Sequence, residues 1–280
     1  MDQIEIRRKM FGEEVVFLIN NVSKDMVEIV VDEVYLEGLR LQRIFNFFDK
    51  KSDLSILNKN RKIKANKDLL FVIGEALKIC KITEGLYDIS LGKQFHERKI
   101  GIEITKVKCS YKDIAMKNGE IELLHPDVMI DLGSIAKGYI ADKLAEMLRE
   151  KGILSGLIDA RGDIILFGEE EQIIEIQHPR DKEKNFREIK VRNCGIATSG
   201  DYNQYSKNFE NSHIINKNEL ISVTTLAPTL MEADLYATAI IVTPKEKIEN
   251  LLNRNKKIKA LCIDKNLSTI EFNNFEEVVG

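Results

Sequence analysis

The 280-residue sequence contains no tryptophan, only four prolines and only four cysteines. The cysteines lie far apart and form no CxxC pair, so neither a zinc site nor a dithiol redox motif is predicted. We expect Cys80, Cys109, Cys194 and Cys262 to be buried, reduced thiols. The sequence also lacks a run of about 18 apolar residues, which a membrane-spanning helix needs, so the chain is not expected to span a membrane.

The sequence has no excess of positive charge, because 42 lysines and arginines face 45 aspartates and glutamates. A surface for nucleic acid is therefore not predicted. With 44% hydrophobic and 31% charged residues, the composition is typical of a folded globular protein. The opening stretch MDQIEIRRKMFGEE has no apolar signal segment and no cysteine that could carry a lipid. We therefore expect a cytoplasmic protein.

Apolar residues recur at helical spacing in some segments and form short β-rich runs in others. Helices are predicted over 24–48, 68–83, 134–150, 231–242 and 245–254. Strands are predicted over 15–19, on both sides of an interruption at 160–162, and over 173–177, 188–191, 213–215, 221–226, 259–263 and 268–272.

Three further stretches complete the pattern. Short strands are predicted between 101 and 130, with Asn118 and Gly119 at a hairpin turn. Residues 49–60 are polar and turn-like, and residues 85–95 fit no regular period. Because strands and helices do not alternate regularly, the pattern predicts an α+β fold of mostly antiparallel sheets with flanking helices. No internal repeat or linker is visible, so a single domain over 1–280 is expected.

The stretch DLGSIAKGY predicts an apolar strand that ends at Asp131, a small-residue turn, and a helix that begins near Ser134. The unpaired N–H groups of a helix start can bind an anion, and Gly133 and Ser134 would let one approach. A capped helix packed on a strand is the alternative. Lys137 could contact a phosphate or cover the helix surface.

In MEADLYATA, Asp234 and Thr238 are four residues apart, so a helix places both oxygen-bearing side chains on one face. Oxygen ligands of this kind suit Mg²⁺, which takes few protein ligands. Alternatively, Asp234 is an acid at a helix start and Thr238 a packed β-branched residue.

The stretch GIATSGDY predicts a hydroxyl-rich turn over 198–201 after a strand, where Ser199 could bond a ligand. His213 could act as an acid or base near neutral pH, or be structural. In ARGDI, Arg161 and Asp163 could form a buried ion pair at a bulge.

The order of these motifs resembles the FAD:protein FMN transferase (ApbE) family, from about Met10 to Val242, with DLGSIAKGY and EADLYATA as the most distinctive blocks. The resemblance implies an ApbE-like fold. It implies Mg²⁺-dependent transfer of FMN from FAD to a Thr or Ser hydroxyl of an acceptor flavoprotein, with release of AMP. Some members instead hydrolyse FAD to FMN and AMP.

Carried over residue by residue, the resemblance implies a metal site and a set of FAD contacts. The metal ligands would be Asp234, Thr238 and a backbone carbonyl near Ala136. His213 is the first candidate base, with Asp163 or Asp201 as alternatives. The positions expected to contact FAD are Met10, Phe48, Leu86, Tyr87, Asp88, Gly133, Ser134, Lys137, Ser199 and Ile215.

The sequence departs from the family pattern on the acceptor side. The family's His-Ile-Ile-Asp-Pro-x-Thr-Gly turn is here HIINKNEL, in which Asn216 replaces the acid and the Pro and Gly are missing. The family's Gly-Gly-Asp is Arg161-Gly162-Asp163, and its Met-Gly-Thr is Met10-Phe11-Gly12. An FAD pyrophosphatase and a non-catalytic FAD-binding protein are therefore the alternative functions.

Overall fold

Eight strands form one antiparallel sheet at the centre of the computed structural model, which describes residues 3–20, 22–181, 183–200 and 219–275. In spatial order the sheet contains β1 (Gln3–Met10), β2 (Glu13–Asn20), β6 (Gly156–Ala160), β7 (Asp163–Phe167), β10 (Gly195–Gly200), β11 (Leu220–Ala227), β12 (Lys259–Asp264) and β13 (Thr269–Phe272). A second sheet holds β3 (Lys62–Lys64), β4 (Ile114–Lys117) and β5 (Glu120–Leu123), and a separate hairpin pairs β8 (Gln172–Gln177) with β9 (Asn185–Val191).

Seven α-helices occur in the described ranges and flank these sheets. They are α1 (Lys24–Phe45), α2 (Asp53–Asn60), α3 (Lys67–Ile82), α4 (Gly92–Lys99), α5 (Ala136–Glu150), α6 (Leu230–Ile241) and α7 (Lys245–Leu252). The α+β class with antiparallel sheets is therefore confirmed. None of these helices is long and apolar enough to cross a membrane. All four cysteines are buried and unbridged, as expected.

Both faces of the large sheet are covered, and every residue of its central strand β11 is buried. Leu157 and Ile158 are successive residues of β6 and belong to different hydrophobic clusters, because side chains alternate between the faces of a strand. The cluster with Ile158 includes residues of α1, α5 and α6, and the cluster with Leu157 includes residues of the β8–β9 hairpin and Phe275. The sheet thus has helices on one side and a hairpin on the other.

Several boundaries differ from the sequence predictions. Helix α1 ends at Phe45, short of the predicted 48. The turn-like 49–60 contains α2, an eight-residue helix that buries Leu54 and Leu57 and is capped by the Ser52 hydroxyl. An eight-residue helix is too short to show a clear repeat of apolar residues, although Ser52 before Asp53 is a typical N-cap residue. Similarly, α4 begins at Gly92 inside the stretch that fits no period.

The elements around the DLGSIAKGY and GIATSGDY motifs differ as well. The predicted strand before Asp131 is reduced to one isolated bridge, between Met129 and Leu91. Helix α5 begins at Ala136, after a turn over 133–135. Residues 198–200 belong to β10 instead of a turn, because they pair with β11. The predicted strand over 213–215 lies outside the described residues.

Helix α6 starts unusually close to α5 and β10, and two glycines permit the contact. A Cβ on Gly138 of α5 would lie 2.5 Å from the Leu230 carbonyl oxygen, and one on Gly195 would lie 2.4 Å from Leu230 N. Both obstacles are backbone atoms, which cannot rotate away. Only glycine therefore allows the first turn of α6 to lie against its neighbours.

Gly138→Ala should lower the free energy of unfolding by about 1–3 kcal/mol, because the new methyl group forces α5 and α6 apart. Gly74→Ala on α3 is the matched control, since a Cβ there would meet nothing within 4 Å. That change should be neutral or stabilise the protein by up to about 1 kcal/mol. Equilibrium urea unfolding measures both, and equal effects would contradict the proposed contact.

Candidate functional site

A cavity of about 660 Å³ opens between the end of α1, the starts of α4 and α5, the β6–β7 turn, the end of β10 and one face of α6. It brings together residues from segments that are far apart in the sequence. The site residues suggested by the sequence that line it are Phe48, Leu86, Tyr87, Asp88, Gly133, Ser134, Ala136, Lys137, Asp163, Ser199, Asp234 and Thr238. Their contacts with a ligand stay predictions.

The remaining suggested site residues are Met10, Asp201, His213 and Ile215. Met10 is only 2% exposed and belongs to the hydrophobic core, and its neighbours Phe11 and Gly12 line the cavity. His213 and Ile215 lie outside the described residues, as does Asp201.

The turn before α5 is held by its own acid. Asp131 Oδ1 accepts a hydrogen bond from the Gly133 N–H at 2.8 Å, which fixes the turn beside the cavity. The N-cap residue Ile135 supplies no side-chain cap to α5. The side-chain contact found at this helix start is thus the one between Asp131 and the turn.

The segment over 86–92 forms the neighbouring wall. The hydroxyls of Tyr87 and Ser134 lie 2.8 Å apart, which ties this segment to the α5 turn. The two carboxylate oxygens of Asp88 accept the N–H groups of Ser90 at 2.8 Å and Tyr111 at 2.9 Å. Burial raises the pKa of Asp88 despite these bonds. The Asp88 carboxylate therefore bonds to backbone groups of the protein and helps to hold this wall in place.

Lys137 lies among carboxylates and lines the cavity. Its ammonium forms an ion pair with Asp163, whose other oxygen accepts the Thr198 N–H at 3.2 Å. Burial would lower the pKa of Lys137, but the charges of Asp163 and Asp234 outweigh it and raise that pKa. Of the two sequence alternatives, the geometry favours a lysine that faces the cavity over one that covers the helix surface.

Asp234 is 6% exposed, and its Oδ2 atom has no hydrogen-bond partner among the described residues. Burial, reinforced by the charge of Asp163, raises the pKa of Asp234, while Lys137 and the Gly138 amide oppose the rise. An unsatisfied buried carboxylate oxygen is costly unless a ligand or ion completes it. The cavity therefore has an open position beside Asp234.

The residues near this position suit a small hard cation. Thr238 lines the same cavity one helical turn after Asp234, and its hydroxyl lies 2.9 Å from that of Ser199. Among the described residues no group of three or more His, Cys, Asp or Glu could hold a metal. One carboxylate with hydroxyl and carbonyl oxygens is, however, a donor set that Mg²⁺ accepts, since it keeps several other ligands.

Arg161 does not form the ion pair with Asp163 that the sequence suggested. Arg161 and Gly162 have φ values of 64° and 87° and form the tight turn between β6 and β7. The guanidinium donates to both carboxylate oxygens of Glu13, at 2.8 and 3.0 Å, and to the Phe11 carbonyl at 3.1 Å. Because Arg161 is held by these bonds, Asp163 forms its ion pair with Lys137 instead.

Sequence reasoning missed the wall formed by the end of α1. Gln42, Asn46 and Phe47 line the cavity, and Phe95 of α4 faces it as well. Phe48 is 64% exposed, and its ring lies 5.4 Å from that of Phe47 and 5.6 Å from that of His96. The sequence does carry one signal for this wall. Two polar residues, Gln42 and Asn46, stand four residues apart on an otherwise apolar helix face.

Helix α6 is fixed to α5 by a carboxylate as well as by the glycine contact. Asp142 of α5 accepts the N–H groups of Leu230 and Met231, each at 2.8 Å. Burial raises the pKa of Asp142 to about 7, although the two amides oppose the shift. Asp142 therefore helps to position Asp234 and Thr238.

Comparison with known proteins agrees with this architecture. A model of the ApbE family matches residues 15–262. The FAD:protein FMN transferase of Haemophilus influenzae is 28% identical over 257 residues, 77% of this chain and 73% of that protein. The Escherichia coli K12 enzyme of the same name is 26% identical over 246 residues, 76% and 70% of the two chains.

Solved structures show the same fold. The ApbE protein of Thermotoga maritima superposes with a TM-score of 0.86 at 21% identity, over 99% of this chain and 100% of that one. The flavin transferase ApbE from Vibrio cholerae superposes with a TM-score of 0.80 at 23% identity, over 97% and 96% of the two chains.

The folded chain should bind the proton of Asp142 more tightly than the unfolded chain, because the pKa rises from its ordinary 3.8 to about 7. The contribution of Asp142 to the free energy of unfolding is thus fully present below pH 3.8 and is lost as the pH rises through about 7. Asp142→Asn removes this titration, so unfolding free energy should fall less steeply with pH across that window.

Urea unfolding at several pH values measures the slope. The exposed Asp25→Asn on α1 is the control and should keep the slope of the unsubstituted protein. Equal slopes in all three proteins would show that Asp142 does not carry this pH dependence.

Proposed function

Because this chain belongs to the ApbE family, we propose that it transfers FMN from FAD to a Thr or Ser hydroxyl of an acceptor flavoprotein and releases AMP. The observation that carries the proposal is the open position beside Asp234, within a cavity that also holds Lys137 and the Thr238 hydroxyl. The names of the curated relatives, FAD:protein FMN transferase, support it.

The donor set supports Mg²⁺ as the bound cation. Its ligands would be the Asp234 carboxylate, the Thr238 hydroxyl and the backbone carbonyl near Ala136, all on the cavity wall. Asp234 supplies the negative charge, and its free Oδ2 needs a partner. Mg²⁺ bound there would offset negative charge on the FAD pyrophosphate oxygens.

The chain's own groups also favour an anion beside this position. The raised pKa of Lys137 keeps its ammonium protonated at neutral pH, and Asp163 orients it in the cavity. The N-terminal end of α5 borders the cavity, so the partial positive charge of the helix dipole also favours an anion there. Both features stabilise charge that develops as AMP leaves.

The transfer forms a bond between the acceptor oxygen and the FMN phosphorus and breaks the bond from that phosphorus to the AMP oxygen. The acceptor hydroxyl loses its proton to a base. Asp163 has one oxygen on Lys137 and the other on the Thr198 N–H, so it fits a role in holding Lys137. We propose His213 as the base, with Asp201 as the alternative, and both lie outside the described residues.

The proposal is tested by incubating the purified chain with FAD and Mg²⁺, with and without lysate of the source cell. AMP and FMN are separated by chromatography, and covalent flavin is detected by its fluorescence on a denaturing gel and by mass spectrometry. We expect AMP together with a flavin-labelled protein. Release of AMP and free FMN without any acceptor would identify an FAD pyrophosphatase instead. FAD that binds but stays intact would indicate a non-catalytic binding protein.

Asp234→Asn should lower AMP formation by about 100-fold or more, because loss of the bound cation removes several kcal/mol of charge stabilisation. The free energy of unfolding should stay equal or rise, since the variant no longer buries a charged oxygen without a partner. AMP formation at increasing Mg²⁺ concentration and urea unfolding measure the two effects.

Glu249→Gln removes the same charge at an exposed position of α7 and is the matched control. It should keep the activity and Mg²⁺ dependence of the unsubstituted protein. An Asp234→Asn protein with unchanged Mg²⁺ dependence would refute the metal assignment.

A further inference from the structure

The end of α1 carries two carboxamides where the helix otherwise buries apolar side chains. Leu41, Ile44 and Phe45 of the last turns are buried in the core. Gln42 and Asn46 are half-buried, four residues apart, and both line the cavity. Residues at this spacing lie on one face of a helix, so the two carboxamides are neighbours on one wall.

Two backbone N–H groups fix the oxygens of these carboxamides. Gln42 Oε1 accepts the Phe11 N–H at 2.6 Å, and Asn46 Oδ1 accepts the Phe48 N–H at 3.0 Å. A backbone N–H only donates, so the oxygen of each carboxamide must face it and the NH₂ group must point to the other side. Within the described ranges, neither NH₂ group donates a hydrogen bond.

The surroundings of these donors suit a planar ring. Phe45, Phe47, Phe48 and Phe95 line the same cavity. Aromatic faces contact a flat ligand but do not distinguish the groups at its edge. Donors with fixed orientation supply that distinction in a mostly apolar pocket.

We propose that Gln42 and Asn46 donate hydrogen bonds to the edge of one heteroaromatic ring of FAD and thereby select it. The inference rests on the function proposed above. The ring must carry nitrogen or carbonyl acceptors, because an NH₂ group offers no lone pair for a donor. Both the pyrimidine edge of the flavin and the adenine edge have this chemistry, and the test distinguishes them.

If Gln42 and Asn46 had a purely structural role, only their side-chain oxygens would be needed. Gln42→Glu and Asn46→Asp keep an oxygen for the Phe11 and Phe48 N–H groups and replace each NH₂ donor with an acceptor oxygen. The variants therefore remove the proposed contact and preserve the anchoring. Riboflavin and adenosine serve as probes, because both are uncharged and the added carboxylate does not repel them by net charge.

The experiment measures competition by riboflavin and by adenosine against FAD, followed by flavin fluorescence, for the unsubstituted chain and each variant. We expect about tenfold weaker competition by one of the two probes and unchanged competition by the other. Loss for riboflavin alone assigns the donors to the flavin, and loss for adenosine alone assigns them to adenine. Thermal unfolding verifies that each variant is folded.

Gln172→Glu on β8, outside the cavity lining, makes the same substitution as a matched control and should change neither affinity. If both probes compete unchanged in both variants, or weaken equally, Gln42 and Asn46 are structural and the inference is overturned. If the unsubstituted chain does not bind FAD at all, the proposed function is wrong, and this inference, which rests on it, is wrong as well.

Discussion

The close contact between α5 and α6 is the constraint on which the candidate site depends. Gly138 lets the two backbones approach. The Asp142 carboxylate of α5 accepts hydrogen bonds from the first backbone N–H groups of α6. This contact places Asp234 and Lys137, which come from different helices, in one cavity. Because both anchors act on backbone atoms, they fix the helix itself and leave its side chains free to face a ligand.

Within the described ranges, the charges on the α5 and α6 wall of the cavity are incompletely neutralised. Two buried carboxylates, Asp163 and Asp234, share one ammonium from Lys137, and that ammonium pairs with Asp163. Asp234 Oδ2 has no hydrogen-bond partner among the described residues, and its burial in that state costs stability. Such unsatisfied charge is typical of functional sites, where stability is given up for binding.

The sequence predicts those features that depend on local spacing. Helical periodicity predicts α6, and the four-residue spacing places Asp234 and Thr238 on one of its faces. Position 137 could not be resolved in this way, because whether a lysine covers α5 or faces a cavity depends on Asp163, which is distant in sequence. The polar, small residues 198–200 favour a turn locally, yet pairing with β11 extends the strand through them.

The two long walls of the cavity differ in chemistry. The wall from α5 and α6 carries the charges, whereas the wall from α1 and α4 carries aromatic rings and carboxamides. The second wall suits flat rings, and the first wall, with two carboxylates and one ammonium, suits an anionic group only together with a cation, which agrees with the proposed function. Arg161 lies between the walls but is held by Glu13 and the Phe11 carbonyl, while Gln42 holds the Phe11 amide. The departure at Arg161 therefore adds a link between β2 and the β6–β7 turn and leaves the pairing of Lys137 with Asp163 intact.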